Sequence, residues 1–208
     1  MNKVLELFAG SRSFSKVAEE LGYETFSVDI KDFDSIDYVT DILDFNVDKV
    51  PFKPDVIWAS PPCTYFSVAS IGHHWNKDHT PKTKEAINGI KIVTKTLEII
   101  DYFLPSYFFI ENPRGKLRKL DFMKYLPRTT VTYCQYGDNR MKPTDIWTNH
   151  LYNPLFSNGW KPKPICKNGD SCHIPAPRGS QTGTQGLKGN YERSIVPYEL
   201  CKEILLSL

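Results

Sequence analysis

The sequence predicts one α/β domain with a Rossmann-like fold, in which a mostly parallel sheet carries helices on both faces. Short β-rich runs alternate with helical stretches from residue 1 to about residue 149. This alternation favours parallel strands joined by crossover helices. The chain has 208 residues, of which 40% are hydrophobic, and this is enough for one packed core.

The predicted elements follow one another along the first 149 residues. Strands are predicted at residues 4–8, 25–28, 55–59, 107–110, 129–134 and 145–148. A helix over residues 13–21 follows the first strand. The longest predicted helix covers residues 84–103, where one apolar stripe recurs at helical spacing through Ile87, Ile90, Val93, Leu97 and Ile100. Pro105 ends this helix, because proline interrupts helical hydrogen bonding.

A different composition begins at His150, and it divides the chain into three predicted parts. Residues 1–149 form the core, and residues 150–190 form a short irregular insert rich in proline and glycine. Residues 191–208 return to helix, with Pro197 in its first turn. The stripe of Leu200, Ile204 and Leu208 predicts that this tail packs back on the core.

Composition excludes several classes of protein. No run of about 18 apolar residues is present, so no membrane-spanning helix and no membrane partner are expected. The five cysteines are unevenly spaced and odd in number, which argues against a disulfide scaffold and for a reducing cytoplasm. A net charge of +2 does not by itself indicate nucleic-acid binding.

A polar turn joins the first strand to the first helix. It consists of Phe8, Ala9, Gly10, Ser11, Arg12 and Ser13. Glycine lets the backbone approach a ligand, and the following helix N-terminus offers free N–H groups. Asp29 follows the second strand, where an acidic side chain can accept from ribose hydroxyls, and Asp41 could accept from an adenine amino group. Each feature alone also fits a purely structural role.

Two reactive side chains follow predicted strands. Cys63 comes directly after Pro61 and Pro62, which stiffen the loop and present the thiol at the carboxyl edge of the sheet, where open α/β folds bind ligands. Glu111 follows the strand at residues 107–110 and reaches the same edge, where a partly desolvated carboxyl suits proton transfer. The alternatives are a buried apolar cysteine and a carboxylate that caps the next helix.

These segments resemble the motifs of one family, the cytosine-5 DNA methyltransferases, and they occur in the family's order. Phe8-Ala9-Gly10 is similar to its cofactor loop, Pro61-Pro62-Cys63 to its nucleophile loop and Glu111-Asn112 to its cytosine-binding motif. Two later segments also resemble the family, namely Gln135-Tyr136-Gly137 with Arg140, and Ser194-Ile195-Val196-Pro197 before the last helix.

The resemblance implies an S-adenosylmethionine-dependent DNA (cytosine-5)-methyltransferase that acts on a flipped cytosine. Cys63 would be the nucleophile, Glu111 would engage ring nitrogen 3, and Arg140 would support the catalytic pocket. The implied cofactor residues are Phe8, Ala9, Gly10, Ser11, Arg12, Ser13, Asp29, Ile30, Asp41, Ile42 and Pro61. The implied nucleic-acid contacts are Ser67, Arg114, Lys142, Arg178, Ser180 and Thr182.

Two departures from the family keep alternatives open. Arg12 replaces a small residue in the cofactor loop, so a catalytically silent DNA-binding relative is one alternative. The insert of about forty residues is short for an independent target-recognition domain. Two further alternatives therefore remain. One is an RNA or free-nucleotide substrate, and the other is target recognition through a partner subunit or self-association. The chain also resembles small phage-encoded methyltransferase-like proteins, so a role in restriction-modification and a bacterial or phage-infected cell are expected.

The insert also carries a group of soft metal ligands, Cys166, Cys172 and His173. With Cys134 or His150 they could complete a tetrahedral zinc site. Their spacing matches no standard zinc pattern, which favours the alternative, a polar loop with incidental cysteines. The sequence-based prediction is therefore a protein without a metal.

Overall fold

A computed structural model describes residues 2–68, 70–175 and 189–208. In these residues the strands are β1 (Lys3–Leu7), β2 (Glu24–Asp29), β3 (Tyr38–Val39), β4 (Val56–Ala59), β5 (Tyr107–Pro113), β6 (Arg128–Thr132) and β7 (Pro143–Thr148). The α-helices are α1 (Ser13–Glu20), α2 (Ile71–His74), α3 (Lys84–Phe103), α4 (Asp121–Lys124), α5 (Asn190–Ser194) and α6 (Tyr198–Leu206). Short 3₁₀ helices cover Ile42–Asp44, Val47–Lys49, Leu117–Lys119 and Tyr133–Tyr136.

All the strands belong to one sheet with the order β3-β2-β1-β4-β5-β7-β6. The five strands from β3 to β5 across this order pair in parallel. Strand β7 lies antiparallel between β5 and β6. The carboxyl ends of β1, β2, β4 and β5 therefore meet at one edge, where ligands bind in folds of this kind. The predicted Rossmann-like α/β class is confirmed.

Helices cover both faces of the sheet, as predicted. Along β1, Leu5 and Leu7 point to the face that α3 covers, whereas Val4 points to the opposite face with α1 and α6. This alternation follows from the two-residue period of a strand. None of the helices in the described part of the chain is long and apolar enough to cross a membrane.

The structure differs from the predicted elements at several points, of which three are informative. Ile87 lies outside the buried stripe of α3 with 45% of its surface exposed, and Ile99 is buried instead. The strand predicted at residues 129–134 ends at Thr132, after which the chain turns into a 3₁₀ helix. Strand β5 continues to Pro113 because it pairs with β7, so Glu111 lies inside a strand and does not cap a helix.

The first part of the insert packs on the core through Trp160. This side chain is 1% exposed, and its indole Nε1 donates to Glu203 Oε1 in α6 at 2.9 Å. The described residues 150–175 contain no helix or strand, only isolated bridges, in agreement with their proline and glycine content. The division of the chain into three parts remains a prediction.

A buried carboxylate positions α1 behind the first strand. Glu6 of β1 is 2% exposed, and its two oxygens accept from the backbone N–H groups of Phe14 at 3.2 Å and Ser15 at 2.8 Å. These N–H groups belong to the first turn of a helix, where they have no intrahelical partner. Burial raises the pKa of the Glu6 carboxyl, although its hydrogen bonds oppose this effect.

We predict that Glu6→Ala lowers the free energy of unfolding by about 1–3 kcal/mol, because two N–H groups lose their buried acceptor. Urea unfolding followed by circular dichroism measures this loss. Glu98→Ala is the matched control, since Glu98 is solvent-exposed and only weakly paired with Lys95; its effect should stay within about 0.5 kcal/mol. Equal stability of the two variants would contradict the capping role of Glu6.

Candidate active site

The loop after β4 holds Cys63 in a tight turn at the carboxyl edge of the sheet. The Cys63 carbonyl accepts from the N–H groups of Phe66 at 3.0 Å and Ser67 at 2.9 Å. The thiol is partly exposed, whereas Pro61 is buried. Asn112 Nδ2 donates to the Pro61 carbonyl at 2.8 Å. The loop is therefore bonded directly to the strand that carries Glu111.

Glu111 is held by a phenol and a cation. The carboxylate is buried, with 5% of the residue exposed, and Oε1 accepts from the Tyr133 hydroxyl at 2.8 Å. Lys142 Nζ lies 3.9 Å from the same oxygen and 4.3 Å from the centre of the Tyr133 ring. Buried carboxylates need such partners to offset their desolvation. The three side chains form one polar group beside the sheet edge.

The electrostatics of Cys63 and Glu111 are linked. Burial raises the pKa of the Cys63 thiol, and the negative charge of Glu111 raises it further. Lys142 and, to a smaller extent, Arg193 lower it. The thiol is therefore protonated at neutral pH, and a nucleophilic role requires that its proton be taken up during the reaction.

Arg140 and Lys142, both predicted to serve the site, have different protein partners. The Arg140 guanidinium bonds to the Asp138 carboxylate, with Nε 2.9 Å from Oδ1. This pairing does not bring it to Glu111, so its catalytic role remains a prediction. Lys142, predicted to contact nucleic acid, is the cation beside Glu111.

The predicted cofactor loop has unusual backbone geometry. Phe8, Gly10 and Arg12 all have positive φ angles of 60°, 50° and 53°. The Gly10 N–H donates to Asp29 Oδ2 at 2.9 Å, and the Lys31 N–H donates to the other oxygen at 2.9 Å. Asp29 thus fixes the loop, and each oxygen retains a second lone pair for another donor.

The segment before α6 packs against this loop. A Cβ atom added to Gly10 would lie 2.6 Å from Ser194 Oγ, so glycine is needed for the close approach as well as for its positive φ. Ser194 Oγ accepts from the Ser11 N–H at 3.2 Å, and Ser13 Oγ accepts from the Val196 N–H at 3.1 Å. Two distant segments therefore build one surface.

The Arg12 side chain points to the far end of β2. Its guanidinium pairs with Glu19 of α1 and lies 3.4 Å from Thr25 Oγ1, near the amino end of the strand. The expected ligand edge is at the other end, beside Asp29. The Arg12 backbone, with its positive φ angle, is therefore part of the loop. Its guanidinium charge is paired with Glu19, away from the expected ligand edge.

The remaining predicted cofactor residues lie beside the carboxyl ends of β2 and β3. Ile30 is 62% exposed directly after Asp29. Asp41 Oδ1 accepts from the Leu43 N–H at 2.9 Å and so caps a 3₁₀ helix, while Ile42 packs into the core. The arrangement offers an exposed apolar surface next to two fixed carboxylates.

The predicted nucleic-acid contacts are only partly described. Ser67 is partly buried, with its Oγ 3.0 Å from Ser70 Oγ, and Arg114 is exposed. Arg178, Ser180 and Thr182 lie outside the described residues. Of the neighbouring basic residues, Lys116 is buried with Nζ 2.6 Å from His79 Nδ1, and Arg118 pairs with Asp145.

The predicted soft ligands come together in space. Cys166, Cys172 and His173 converge, and the fourth member is Cys134. His150, the other candidate, instead has its Nε2 2.9 Å from the Ser207 carbonyl oxygen. The group lies beside Tyr133, the partner of Glu111.

Sequence reasoning missed three residues that shape the site, namely Asn112 as a tether, Tyr133 and Gly115. A Cβ atom on Gly115 would lie 2.2 Å from the Phe66 carbonyl oxygen. The glycine after the Glu-Asn pair was a visible signal of close backbone approach. The Tyr133 contact depends on the pairing of β5, β7 and β6, which no local pattern reveals.

We predict that Gly115→Ala displaces the Cys63 loop, because a backbone oxygen cannot give way as a flexible side chain does. The variant should lose at least about 2 kcal/mol of unfolding free energy in urea. The control is Gly72→Ala, since an added Cβ there meets nothing within 4 Å. Two variants of equal stability would show that the close approach at Gly115 is unimportant.

We also predict that alkylation of Cys63 accelerates with rising pH beyond 9, since 9.0 is the ordinary pKa of the thiol and here it is raised. Lys142→Met removes a charge that lowers this pKa, so at pH 8 alkylation should be roughly two- to fivefold slower. Iodoacetamide labelling with peptide mass spectrometry isolates Cys63 from the other thiols. Exposed Lys91→Met should leave the rate unchanged, and a faster rate in Lys142→Met would refute the assignment.

Comparisons with known proteins identify the family of the chain. The family described as C-5 cytosine-specific DNA methylase matches residues 2–131. A probable DNA (cytosine-5)-methyltransferase of Frog virus 3 is 33% identical over 178 residues, which are 82% of this chain and 77% of the viral protein.

Solved structures share the fold. A putative DNA modification methyltransferase from an E. coli prophage has a TM-score of 0.55 at 16% identity, over 80% of this chain and 52% of that one. The Entamoeba histolytica methyltransferase EhMeth has a TM-score of 0.53 at 15% identity, over 71% and 52%. This chain spans about half the length of these structures. The match over residues 2–131 and the identity to the viral relative show that the chain belongs to the C-5 cytosine-specific DNA methylase family.

Proposed function

We propose that this chain methylates carbon 5 of cytosine in DNA, with S-adenosylmethionine as donor and Cys63 as nucleophile. The observation that carries the proposal is the coupling of Cys63 to Glu111. Asn112 bonds the nucleophile loop to the strand of Glu111, and the Glu111 charge acts on the thiol. A thiol and a carboxyl together fit activation of a pyrimidine ring.

The loop after β1 fits the donor. Gly10 keeps its backbone close to Ser194, and the α1 N-terminus begins just beyond it. Asp29 would accept from the ribose hydroxyls, Ile30 would lie against the adenine, and Asp41 would accept from its amino group. When bound, the donor supplies an electrophilic methyl group on a sulfonium sulfur.

The thiol and the carboxyl would perform complementary steps. Cys63 sulfur forms a bond to carbon 6, and its proton passes through Glu111 to ring nitrogen 3, so the added electron pair makes carbon 5 nucleophilic. After carbon 5 has taken the methyl group, it loses its proton to solvent. The C–S bond then breaks, nitrogen 3 returns its proton through Glu111 to the Cys63 sulfur, and aromaticity returns. Tyr133 and Lys142 hold Glu111 in the orientation that this proton transfer needs.

A cytosine within duplex DNA would reach this site only after rotation out of the stack. The target pocket would lie between the Pro61-Pro62 segment and Glu111, with Arg114 on the exposed side. The short insert keeps open a partner subunit or self-association as the source of target specificity, and a cytoplasmic location fits access to DNA and donor.

The structure bears on the rival functions. The catalytically silent alternative relied on Arg12 crowding the cofactor, but its guanidinium pairs with Glu19 beside the amino end of β2. This favours an active enzyme. An RNA or free-nucleotide substrate would use the same thiol and carboxyl, so substrate assays must separate these possibilities.

We predict that wild-type protein converts deoxycytidine in duplex DNA to 5-methyldeoxycytidine and that Cys63→Ala abolishes this conversion, because no covalent adduct can form. Incubation with S-adenosylmethionine, nuclease digestion and nucleoside mass spectrometry provide the measurement. Parallel reactions use single-stranded DNA, RNA and dCMP.

A duplex with 5-fluorocytosine adds a chemical control. After methyl transfer its carbon 5 has no proton to lose, so wild type should remain attached through Cys63, whereas Cys63→Ala should not. The Cys201→Ala variant tests a buried thiol of α6 and should still form the adduct. If the protein methylates RNA or dCMP but not DNA, the proposed DNA substrate is wrong. Methylation by Cys63→Ala would overturn the assignment of Cys63 as the nucleophile.

A further inference from the structure

Four soft ligand atoms from separate parts of the chain converge next to the candidate active site. Cys134 lies on the 3₁₀ turn after β6, and Cys166, Cys172 and His173 lie in the insert. Their sulfur atoms and one ring nitrogen all lie within 4.8 Å of one another. The Cys63 reaction uses none of these groups.

Three distances within this cluster match those of a tetrahedral zinc site. Zinc bond lengths place two thiolate sulfurs about 3.8 Å apart and a sulfur and an imidazole nitrogen about 3.6 Å apart. Cys172 Sγ is 3.7 Å from Cys134 Sγ. His173 Nδ1 is 3.7 Å from Cys166 Sγ and 3.5 Å from Cys172 Sγ. The Cys134 and Cys166 sulfurs are closer, at 3.1 Å, and would move apart around an ion. The other two pairs of ligand atoms lie within 4.8 Å.

The burial of the cluster also indicates a ligand. Cys134, Cys166 and His173 are each 6–8% exposed, and Cys172 covers them on the solvent side. His173 Nε2 is buried with no hydrogen-bond partner in the described residues, and Nδ1 faces the sulfur atoms of Cys166 and Cys172. Thiols are weak hydrogen-bonding groups, whereas a metal ion would accept the Nδ1 lone pair with the ring proton on Nε2.

Donors around the sulfur atoms complete the arrangement. Gln135 Nε2 donates to Cys172 Sγ at 3.4 Å, as amides do to metal-bound thiolates. The Cys166 backbone N–H donates to Thr132 Oγ1 at 3.1 Å, which fixes the backbone of this ligand on the end of β6. The ligand frame is thus held by the sheet.

We propose that Cys134, Cys166, Cys172 and His173 bind one structural zinc ion. This replaces the sequence-based prediction of a protein without a metal, which rested on spacing alone. Spacing alone carries no signal for this site, because Cys134 lies 32 residues before Cys166 and the fold brings them together. All four positions are occupied by protein ligands, so the site is closed and structural.

The ion would fasten the insert to the active-site wall. Cys134 directly follows Tyr133, whose hydroxyl holds Glu111. The Ile174 N–H donates to the Asn139 carbonyl at 2.8 Å just beyond the ligand pair. Zinc therefore joins the segment that leads into residues 176–188, where the predicted DNA contacts lie, to the turn that orients the catalytic carboxyl.

We predict about one zinc ion per chain in protein purified without chelators, because three thiolates and an imidazole bind zinc tightly. Plasma mass spectrometry measures the metal, and the reduced protein reconstituted with Co²⁺ should show the visible bands of a tetrahedral sulfur-rich site. Cys172→Ser should lose most of the zinc, and its exposed position means that the fold should persist. Cys63→Ser is the matched thiol control and should keep its zinc.

The melting temperature distinguishes a bound structural metal ion from four ligand side chains that lie close together by chance. A strong zinc chelator should lower the melting temperature of wild type by roughly 5–15 °C and leave Cys172→Ser nearly unchanged. The proposal would be overturned if wild-type protein from cells grown with added zinc contained no zinc and showed no visible bands after reconstitution with Co²⁺. A mass lower by two hydrogen atoms, with a disulfide mapped between Cys134 and Cys166, would also overturn it and assign the cluster to redox chemistry.

Discussion

The hydrogen bond from Asn112 Nδ2 to the Pro61 carbonyl joins the two halves of the candidate active site. Parallel pairing of β4 and β5 brings their carboxyl ends to the same edge, but pairing alone leaves the loops beyond the strands unspecified. The Asn112 amide fixes the loop after β4 at Pro61, before Cys63. Gly115 fixes the same loop after Cys63, where its backbone lies against the backbone of Phe66. The position of Cys63 relative to Glu111 therefore follows from backbone contacts on both sides of the nucleophile.

Local patterns predicted the elements that depend on local chemistry. Alternating strands and helices fixed the fold class, and the prolines before Cys63 indicated a stiff loop at the sheet edge. Residues brought together by long-range pairing were beyond reach. Tyr133 and Lys142 meet Glu111 because β7 lies between β5 and β6, an order that no hydrophobic period encodes. The pairing of Arg140 with Asp138, by contrast, is a contact between residues two positions apart in the turn before β7.

The charges around Cys63 oppose one another. Glu111 disfavours the thiolate, while Lys142 and Arg193 favour it. A thiolate formed without substrate would be open to oxidation and alkylation. A thiol that gives up its proton only when a pyrimidine nitrogen can accept it avoids these side reactions. The buried carboxyl thus fits a site whose nucleophile is activated by its substrate.

The contact between the cofactor loop and Ser194 has a consequence for folding during synthesis of the chain. The Ser11–Ser194 bond spans 183 positions of the chain, and contacts of such separation form late because a long loop must close first. During synthesis, the sheet edge beside Gly10 is exposed to solvent until residue 194 has left the ribosome. The cofactor loop would therefore reach its final packing only after residue 194 has been synthesised. A ligand that binds the packed loop would stabilise the folded state from that point on.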